Sequence, residues 1–166
     1  MTIVDVLEQN SRSYGDEVCL VEINPEIQEE PRVTWREYAL IQPTSSTPYR
    51  REITWSVFDE KANRVANMLL SRGIRKGQKV AILLMNCLEW LPIYFGILKA
   101  GCIAVPLNFR YTSQEIDYCL KLADADVLFK EFSKITEIRN TDRLSDLSDA
   151  HVGRIKVAQG GLDALF

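Results

Sequence analysis

Between residues 79 and 129 the sequence alternates short apolar runs with helical patterns, and the joining turns are brief. Residues 79–84 (KVAILL) form an apolar run that does not alternate, which is typical of a strand in a parallel sheet covered on both faces. Residues 102–105 and 126–129 predict two further strands. The order predicts an α/β fold built on a parallel, right-handed, doubly wound β-α-β-α-β unit.

The two connecting segments of this unit carry helix signals. We expect the first helix to start close to residues 87–89, near Asn86, because Pro92 is tolerated only in the first turns. The pattern is apolar almost all round and ends at Gly101, which predicts a buried helix with a glycine C-cap. Thr112 and Glu115 form the spacing of a capping box that opens the second helix.

A longer amphipathic helix is predicted just upstream. Ser56 and Asp59 have the spacing of a cap at its start, and Gly73 fits a left-handed residue after its end. Ile74 is placed for the hydrophobic contact of a Schellman motif. The buried face of this helix recurs at intervals of three and four residues: Phe58, Ala62, Val65 and Leu69.

The first 52 residues predict a helix and a small β-hairpin. Residues 2–13 have helical spacing, and residues 17–23 are rich in branched side chains. Residues 33–35 (VTW) nearly repeat residues 53–55 (ITW). We favour a strand at 33–35 that pairs with residues 50–54, with a helix start at Thr34 as the alternative.

We expect one domain with three parts. Residues 1–52 hold the helix and hairpin, residues 53–130 the parallel unit, and residues 131–166 a weakly patterned tail. Within the tail, residues 131–138 could form a helix and residues 154–158 a strand.

Charge and composition exclude several classes of protein. The 20 Lys and Arg residues against 23 Asp and Glu give a net charge of −3 without a basic cluster, which argues against a nucleic-acid partner. The most apolar stretch is too short for a transmembrane segment, and the N-terminus lacks the basic region of a signal peptide. His151 is the only histidine, so we expect neither a metal site nor a histidine-based catalytic triad.

The pattern of cysteines indicates the cellular compartment of the protein. None of the four belongs to a C-x-x-C pair, and each lies in an apolar pattern. We therefore expect reduced, buried thiols and a cytoplasmic location.

Known phosphate-binding loops are missing from the sequence. Residues 73–79 contain two glycines and two lysines but precede a strand and lack the P-loop spacing, so they predict a turn. The segment after the strand at 102–105 is a better candidate, because open α/β sheets bind ligands at the carboxyl ends of their strands. Asn108, Arg110 and Tyr111 are the candidate contacts there, and the alternative is a loop whose Arg110 pairs with the domain surface.

Two segments resemble the opening motifs of one enzyme family. Residues 53–67 read ITWSVFDEKANRVAN and residues 98–108 read LKAGCIAVPLN. They are similar, in the same order, to the first two core motifs of the AMP-forming acyl-CoA synthetases and related adenylate-forming ligases. The resemblance identifies residues 1–130 as the N-terminal portion of such an AMP-binding enzyme, with the fold of that portion, whereas residues 131–166 match the family poorly.

Four motif residues have structural roles in this interpretation. Thr54 opens the first motif and Pro106 ends a strand. Gly101 is needed for a backbone geometry that favours glycine. We expect the Lys99 ammonium to interact with the last carbonyls of its helix. The alternative is that Lys99 binds phosphate.

The resemblance implies a reaction for the whole enzyme. A carboxylic or fatty acid attacks ATP with Mg²⁺ to give an acyl-adenylate, and CoA then displaces AMP. The family's phosphate loop, a Ser/Thr/Gly-rich segment ending in lysine, and its catalytic-lysine domain do not occur in these 166 residues. We therefore expect no catalytic residue and no bound cofactor in this chain, which would be inactive without the remainder of the ligase domain.

Two other functions compete with the ligase hypothesis. One is a non-enzymatic remnant or partner-binding α/β module, whose exposed sheet edge would promote self-association. The other is a free-standing nucleotide-binding module, which the missing glycine loop disfavours.

Overall fold

The computed structural model describes residues 1–23, 49–130 and 156–157 of the chain. The elements in chain order are α1 (Ile3–Ser13), β1 (Val18–Ile23), β2 (Arg50–Thr54), α2 (Trp55–Ser71), β3 (Lys79–Leu83), α3 (Trp90–Lys99), β4 (Ile103–Pro106), α4 (Ser113–Ala123), β5 (Val127–Lys130) and β6 (Lys156–Val157). The predicted strand at 33–35 and the predicted helix at 131–138 lie outside the described residues.

The main sheet has the strand order β4-β3-β5-β6, and each neighbouring pair is parallel. Val80 and Ile82 of β3 pack into the core under α2 and α3, whereas Ala81 packs with Ile116 and Leu120 of α4. Helices α3 and α4 therefore cover opposite faces, because alternate residues of a strand point to opposite sides. The predicted doubly wound unit is confirmed.

A two-stranded antiparallel sheet joins the N-terminal part to this unit. Strand β1 pairs with β2, and the register places Val21 opposite Glu52. Leu20 and Ile53 of this β1–β2 sheet pack on a third core cluster formed by Leu7, Phe58 and Ala62, so the sheet rests on α1, α2 and α3. The predicted strands at 17–23 and 50–54 are confirmed, although the pairing of 50–54 with 33–35 lies outside the described residues.

The start of α2 differs from the prediction. Thr54 is the N-cap, and its hydroxyl accepts a hydrogen bond from the Val57 amide. Ser56, the expected cap, instead donates to the Gly15 carbonyl at 2.6 Å, so the predicted Ser56 cap is wrong. The end of α2 agrees with the prediction: Ile74 N–H bonds to the Leu69 carbonyl, which is the Schellman pattern.

Helix α3 begins where Pro92 predicts, within one residue of 87–89. Its N-cap is Glu89, which makes no side-chain capping bond, and Asn86 is exposed outside the helix. Pro92 therefore occupies the first turn, where its missing N–H leaves no helix bond unmade. No residue of α3 is exposed, so the predicted buried helix is confirmed as well.

The second crossover helix matches its prediction closely. Thr112 and Glu115 form both halves of a capping box at the start of α4. Ile116 and Leu120 are buried, and Cys119 packs beside them. The chain then turns through Asp124 in the left-handed conformation, with φ 52°, before β5 begins.

Candidate functional site

The carboxyl ends of β3 and β4 form the edge at which the fold favours ligand binding. Pro106 lies opposite Ile82, and the Leu107 amide continues the ladder to the Ile82 carbonyl at 2.9 Å. From this shared edge, β3 leads to α3 on one face of the sheet and β4 leads to α4 on the other. Open α/β sheets bind ligands at the carboxyl ends of their strands. We call the two loops that follow β3 and β4 at this edge, residues 84–89 and 107–111, its two walls.

The wall at 107–111 contains all three residues that the sequence predicts to contact a ligand. Asn108 accepts a hydrogen bond from the Arg110 amide at 2.9 Å through its side chain, and its carbonyl accepts one from the Tyr111 amide at 3.0 Å. These bonds form a compact turn of the Asx type. Leu107 is buried beneath this turn, which fixes it to the core under α4.

The side chains of this wall differ in exposure and chemistry. Asn108 and Arg110 are exposed, whereas Tyr111 is half-buried against the α4 core. The Arg110 guanidinium lies over the Phe109 ring, 5.4 Å from its centroid, which holds the cation in place without neutralising its charge. An exposed guanidinium, an amide and a phenol form a donor set suited to a phosphate or carboxylate ligand.

The N-terminus of α4 is already occupied by its own capping box. The Glu115 carboxylate accepts hydrogen bonds from the Thr112 amide at 2.7 Å and from the Thr112 hydroxyl at 2.8 Å. The helix dipole at this point is therefore matched by a carboxylate of the same helix. Arg110 carries the positive charge of this wall.

The opposite wall is anchored at two buried positions. Leu84 and Leu88 are buried, whereas Met85 and Asn86 between them are exposed toward solvent. The wall ends at Glu89, a half-buried carboxylate that pairs with Arg51 of β2. Burial raises the pKa of Glu89, but hydrogen bonds from Arg51 and from the Glu89 amide outweigh it, and the pKa lies below its ordinary value.

Lys99 lies away from both walls. Its ammonium donates hydrogen bonds to Asn63 Oδ1 at 2.8 Å and Glu8 Oε1 at 3.1 Å, and it forms an ion pair with Asp59 Oδ1 at 2.8 Å. The predicted contact with the carbonyls at the end of its helix is therefore wrong, because the ammonium is directed toward side chains of α1 and α2. The side chain is only 7% exposed.

The remaining motif residues lie in turns and at strand ends. Gly101 has φ +74°, a conformation that favours glycine. Pro106 is the last residue of β4, as predicted, and Thr54 caps α2. The predicted turn at 73–79 is also present, and the Gly77 amide donates to the Gly101 carbonyl at 2.9 Å.

The described residues also bear on the state of the cysteines, on metal binding and on membrane insertion. All four cysteines are free; Cys102 is buried and the other three are partly buried. Burial raises the pKa values of Cys19 and Cys102 above the ordinary value for a thiol. Within residues 1–23, 49–130 and 156–157, no three His, Cys, Asp or Glu side chains lie together as metal ligands, and no helix is long and apolar enough to cross a membrane.

Comparison with known families places this fold in one class. The family model for AMP-binding enzymes matches residues 7–163, so the chain belongs to the AMP-binding, adenylate-forming enzyme family. The match includes residues 131–163, which the two core motifs do not reach. The chain covers only the N-terminal portion of that family's enzymes.

Curated relatives point to the CoA ligases within this family. A Mycobacterium tuberculosis medium/long-chain-fatty-acid–CoA/3-oxocholest-4-en-26-oate–CoA ligase is 33% identical over 114 residues, which are 68% of this chain and 20% of the relative. A Salmonella paratyphi B crotonobetaine/carnitine–CoA ligase is 38% identical over 78 residues, 47% of this chain and 15% of that protein. The match thus spans about a fifth or less of the curated relatives' length.

Solved structures agree on the fold. The N-terminal domain of FACL13 from Mycobacterium tuberculosis superposes with a TM-score of 0.70 at 21% identity, over 99% of this chain and 36% of that one. The anthranilate CoA ligase AuaEII, solved with anthranoyl-AMP, gives a TM-score of 0.62 at 26% identity, over 93% of this chain and 24% of that one.

Sequence reasoning missed the polar contacts that join distant segments. Arg51 contacts Glu22 and Glu89, which lie 29 and 38 residues away in the chain. No local spacing indicates such pairs, because they form only after the β1–β2 sheet has packed on α3. The turn at Asn108 was predictable because its bonds are local.

Proposed function

We propose that the chain forms the N-terminal part of an AMP-forming carboxylate–CoA ligase. In the whole enzyme a carboxylic or fatty acid attacks the α-phosphate of ATP, and the acyl-adenylate and pyrophosphate form. The CoA thiol then displaces AMP. The observation that carries the proposal is the family match over residues 7–163, supported by relatives named as CoA ligases. ATP, Mg²⁺, CoA and the acid are ligands of the whole enzyme in this proposal.

The role of these residues is to build one wall of the ligand site. Asn108, Arg110 and Tyr111 would contact the nucleotide, CoA or acyl group at this edge of the sheet. Arg110 is the strongest candidate, because it is an exposed cation on a hydrogen-bonded turn at the edge where α/β sheets bind ligands. Stabilisation of the developing charge on phosphate belongs to the family's phosphate loop and catalytic lysine.

The three-part division of the domain is also part of the proposal. Residues 1–52, 53–130 and 131–166 would be parts of one ligase domain and pack against its remainder. The cytoplasmic location remains a prediction that rests on the four free cysteines.

An NMR titration tests the ligand-binding wall. Amide shifts of the ¹⁵N-labelled chain are followed while ATP, CoA or octanoate is added separately. We expect shifts at residues 84–88 and 107–112 with at least one of the three, and weaker binding in Arg110→Gln. Arg64→Gln is the matched control, since Arg64 is an exposed arginine paired with Glu60 on the outer face of α2. Shifts that avoid both walls with all three ligands would refute the assignment.

A partner-binding module is the second candidate, and one observation favours it. Ile103 of the edge strand β4 is 51% exposed, and Tyr118 and Leu122 of α4 are 64% and 73% exposed. Apolar side chains at a sheet edge promote association. Sedimentation velocity distinguishes the candidates: concentration-dependent association supports this surface, and a monomer at all concentrations counts against it.

A further inference from the structure

We propose that Arg51 is a positioning residue for the wall at residues 84–89. It holds this wall against the β1–β2 sheet by pairing with Glu89, the last residue of the wall. The proposal rests on the proposed function only for what the wall contacts. The mechanical link itself is independent of any ligand.

Arg51 joins two carboxylates from two different parts of the fold. One terminal nitrogen, Nη1, donates to Glu22 Oε2 of β1 at 2.9 Å. The other, Nη2, donates to Glu89 Oε1 at the start of α3. The planar fork of a guanidinium can serve both acceptors at once, whereas an ammonium is a single point charge. Arg51 therefore connects β1, β2 and the wall at residues 84–89.

The surroundings favour a strong interaction. The Glu22 and Glu89 side chains are 25% and 22% exposed and that of Arg51 is 41% exposed, so solvent screens these contacts less than those between fully exposed charges. The hydrogen bond to Glu89 raises the pKa of Arg51, which is the direction expected for a charged pair. Lys61 of α2 adds a second positive charge near Glu89.

The position of Glu89 explains why this pair matters for the wall. The six residues 84–89 run from the end of β3 to the start of α3, and only Leu84 and Leu88 are buried. Below the pair, Ile53 packs in the same apolar cluster as Leu91 and Phe95 of α3. Arg51 adds the polar contact that fixes the wall itself, since Leu91 and Phe95 lie inside the helix.

Hydrogen–deuterium exchange of the 166-residue chain tests the link without any ligand. In Arg51→Gln we expect amides in a peptide spanning residues 84–91 to exchange about tenfold faster, the factor expected for losing a hydrogen bond between charged groups. Peptides covering β3 and β5 should be unchanged. The matched control is Arg50→Gln, which removes the neighbouring arginine of the same strand and its exposed pair with Glu52; it should change none of these rates.

A double-mutant cycle separates positioning from general destabilisation. Glu89→Gln should accelerate exchange at 84–91 as Arg51→Gln does, and the double variant should be no faster than the faster single variant. Arg51→Lys should restore part of the protection, and it serves as the milder variant if Arg51→Gln unfolds. Additive effects of the two substitutions, equal acceleration in β3 and β5, or unchanged rates at 84–91 would each overturn the proposal. None of these outcomes depends on the ligase assignment.

Discussion

Lys99 shows how one buried charge holds three helices together. Its ammonium lies between Asp59, Asn63 and Glu8, so α1 and α2 are tied to the end of α3. Because the side chain is 7% exposed and that of Asp59 is 18% exposed, neither charge is well hydrated. A buried ion pair of this kind changes the free energy of folding little while it is complete, but removing one partner destabilises the fold strongly.

We predict that Lys99→Met destabilises the chain by about 3 kcal/mol, because Asp59 keeps a buried charge without its counter-ion. Urea unfolding followed by circular dichroism measures this loss. Lys121→Met is the matched control: Lys121 pairs with Asp117 one turn away on α4 and is 45% exposed, so its loss should cost only a few tenths of a kcal/mol. Equal effects of the two substitutions would contradict the structural role of Lys99.

Gly96 determines how closely α2 and α3 approach. A Cβ at this position would lie 2.5 Å from Val65 Cβ and 2.7 Å from the Ala62 carbonyl oxygen. We predict that Gly96→Ala destabilises the chain by about 1–3 kcal/mol through overpacking, although alanine is the better helix former. Asn67→Ala, at an exposed position of α2, is the control and should be neutral or slightly stabilising. A thermal melt in which Gly96→Ala is as stable as the parent would refute the close contact.

At the residue scale, local signals were predictable and distant ones were not. Thr112 with Glu115, and Gly73 with Ile74, make bonds within a few residues, and the sequence spacing identified both motifs. Lys99 was misassigned because its acceptor Glu8 lies 91 residues away. Ser56 was misassigned because nothing local indicated that its hydroxyl would bond to Gly15.

At the element scale, the β1–β2 sheet is the part that the sequence predicts least completely. The crossover unit follows from apolar runs and helix signals that agree with one another. The docking of β2 on α3 depends instead on Arg51, Glu89 and the apolar contacts beneath them.

This ion pair makes the stability of the chain depend on pH. The pKa of Glu89 is lowered in the folded state, so the pair contributes fully above the ordinary range of a glutamate pKa. The contribution is lost as the pH falls through that range to the lower folded pKa. We predict that Glu89→Gln lowers the free energy of unfolding by about 1 kcal/mol at pH 7 and that the difference vanishes toward pH 3.

Denaturant unfolding at several pH values between 7 and 3 tests this dependence. Glu60→Gln is the control, because Glu60 pairs with Arg64 on the surface of α2 and is 59% exposed. Its difference from the parent should be close to zero throughout. A Glu89→Gln difference that persists or grows in acid would contradict the assigned role.

At the scale of the whole molecule, the described residues form one side of the ligand site that we propose. The walls at residues 84–89 and 107–111 follow β3 and β4, and the second wall combines a hydrogen-bonded turn with an exposed arginine. The family model spans nearly all of the chain, yet the matched segment is about a fifth of the curated relatives. We therefore propose that these residues supply architecture and ligand contact, and that the phosphate chemistry belongs to other segments of the whole enzyme.

ATP–pyrophosphate exchange that depends on a carboxylic acid tests this division most directly. It is measured for the 166-residue chain and for the polypeptide that its reading frame encodes when it is extended past Phe166, with straight-chain and aromatic acids. We predict no exchange above the protein-free blank for the 166 residues, and acid-dependent exchange for an extended polypeptide that contains the Ser/Thr/Gly-rich loop and its lysine. Acid-dependent exchange by the 166 residues alone, or none by the extended polypeptide with any acid, would contradict this prediction.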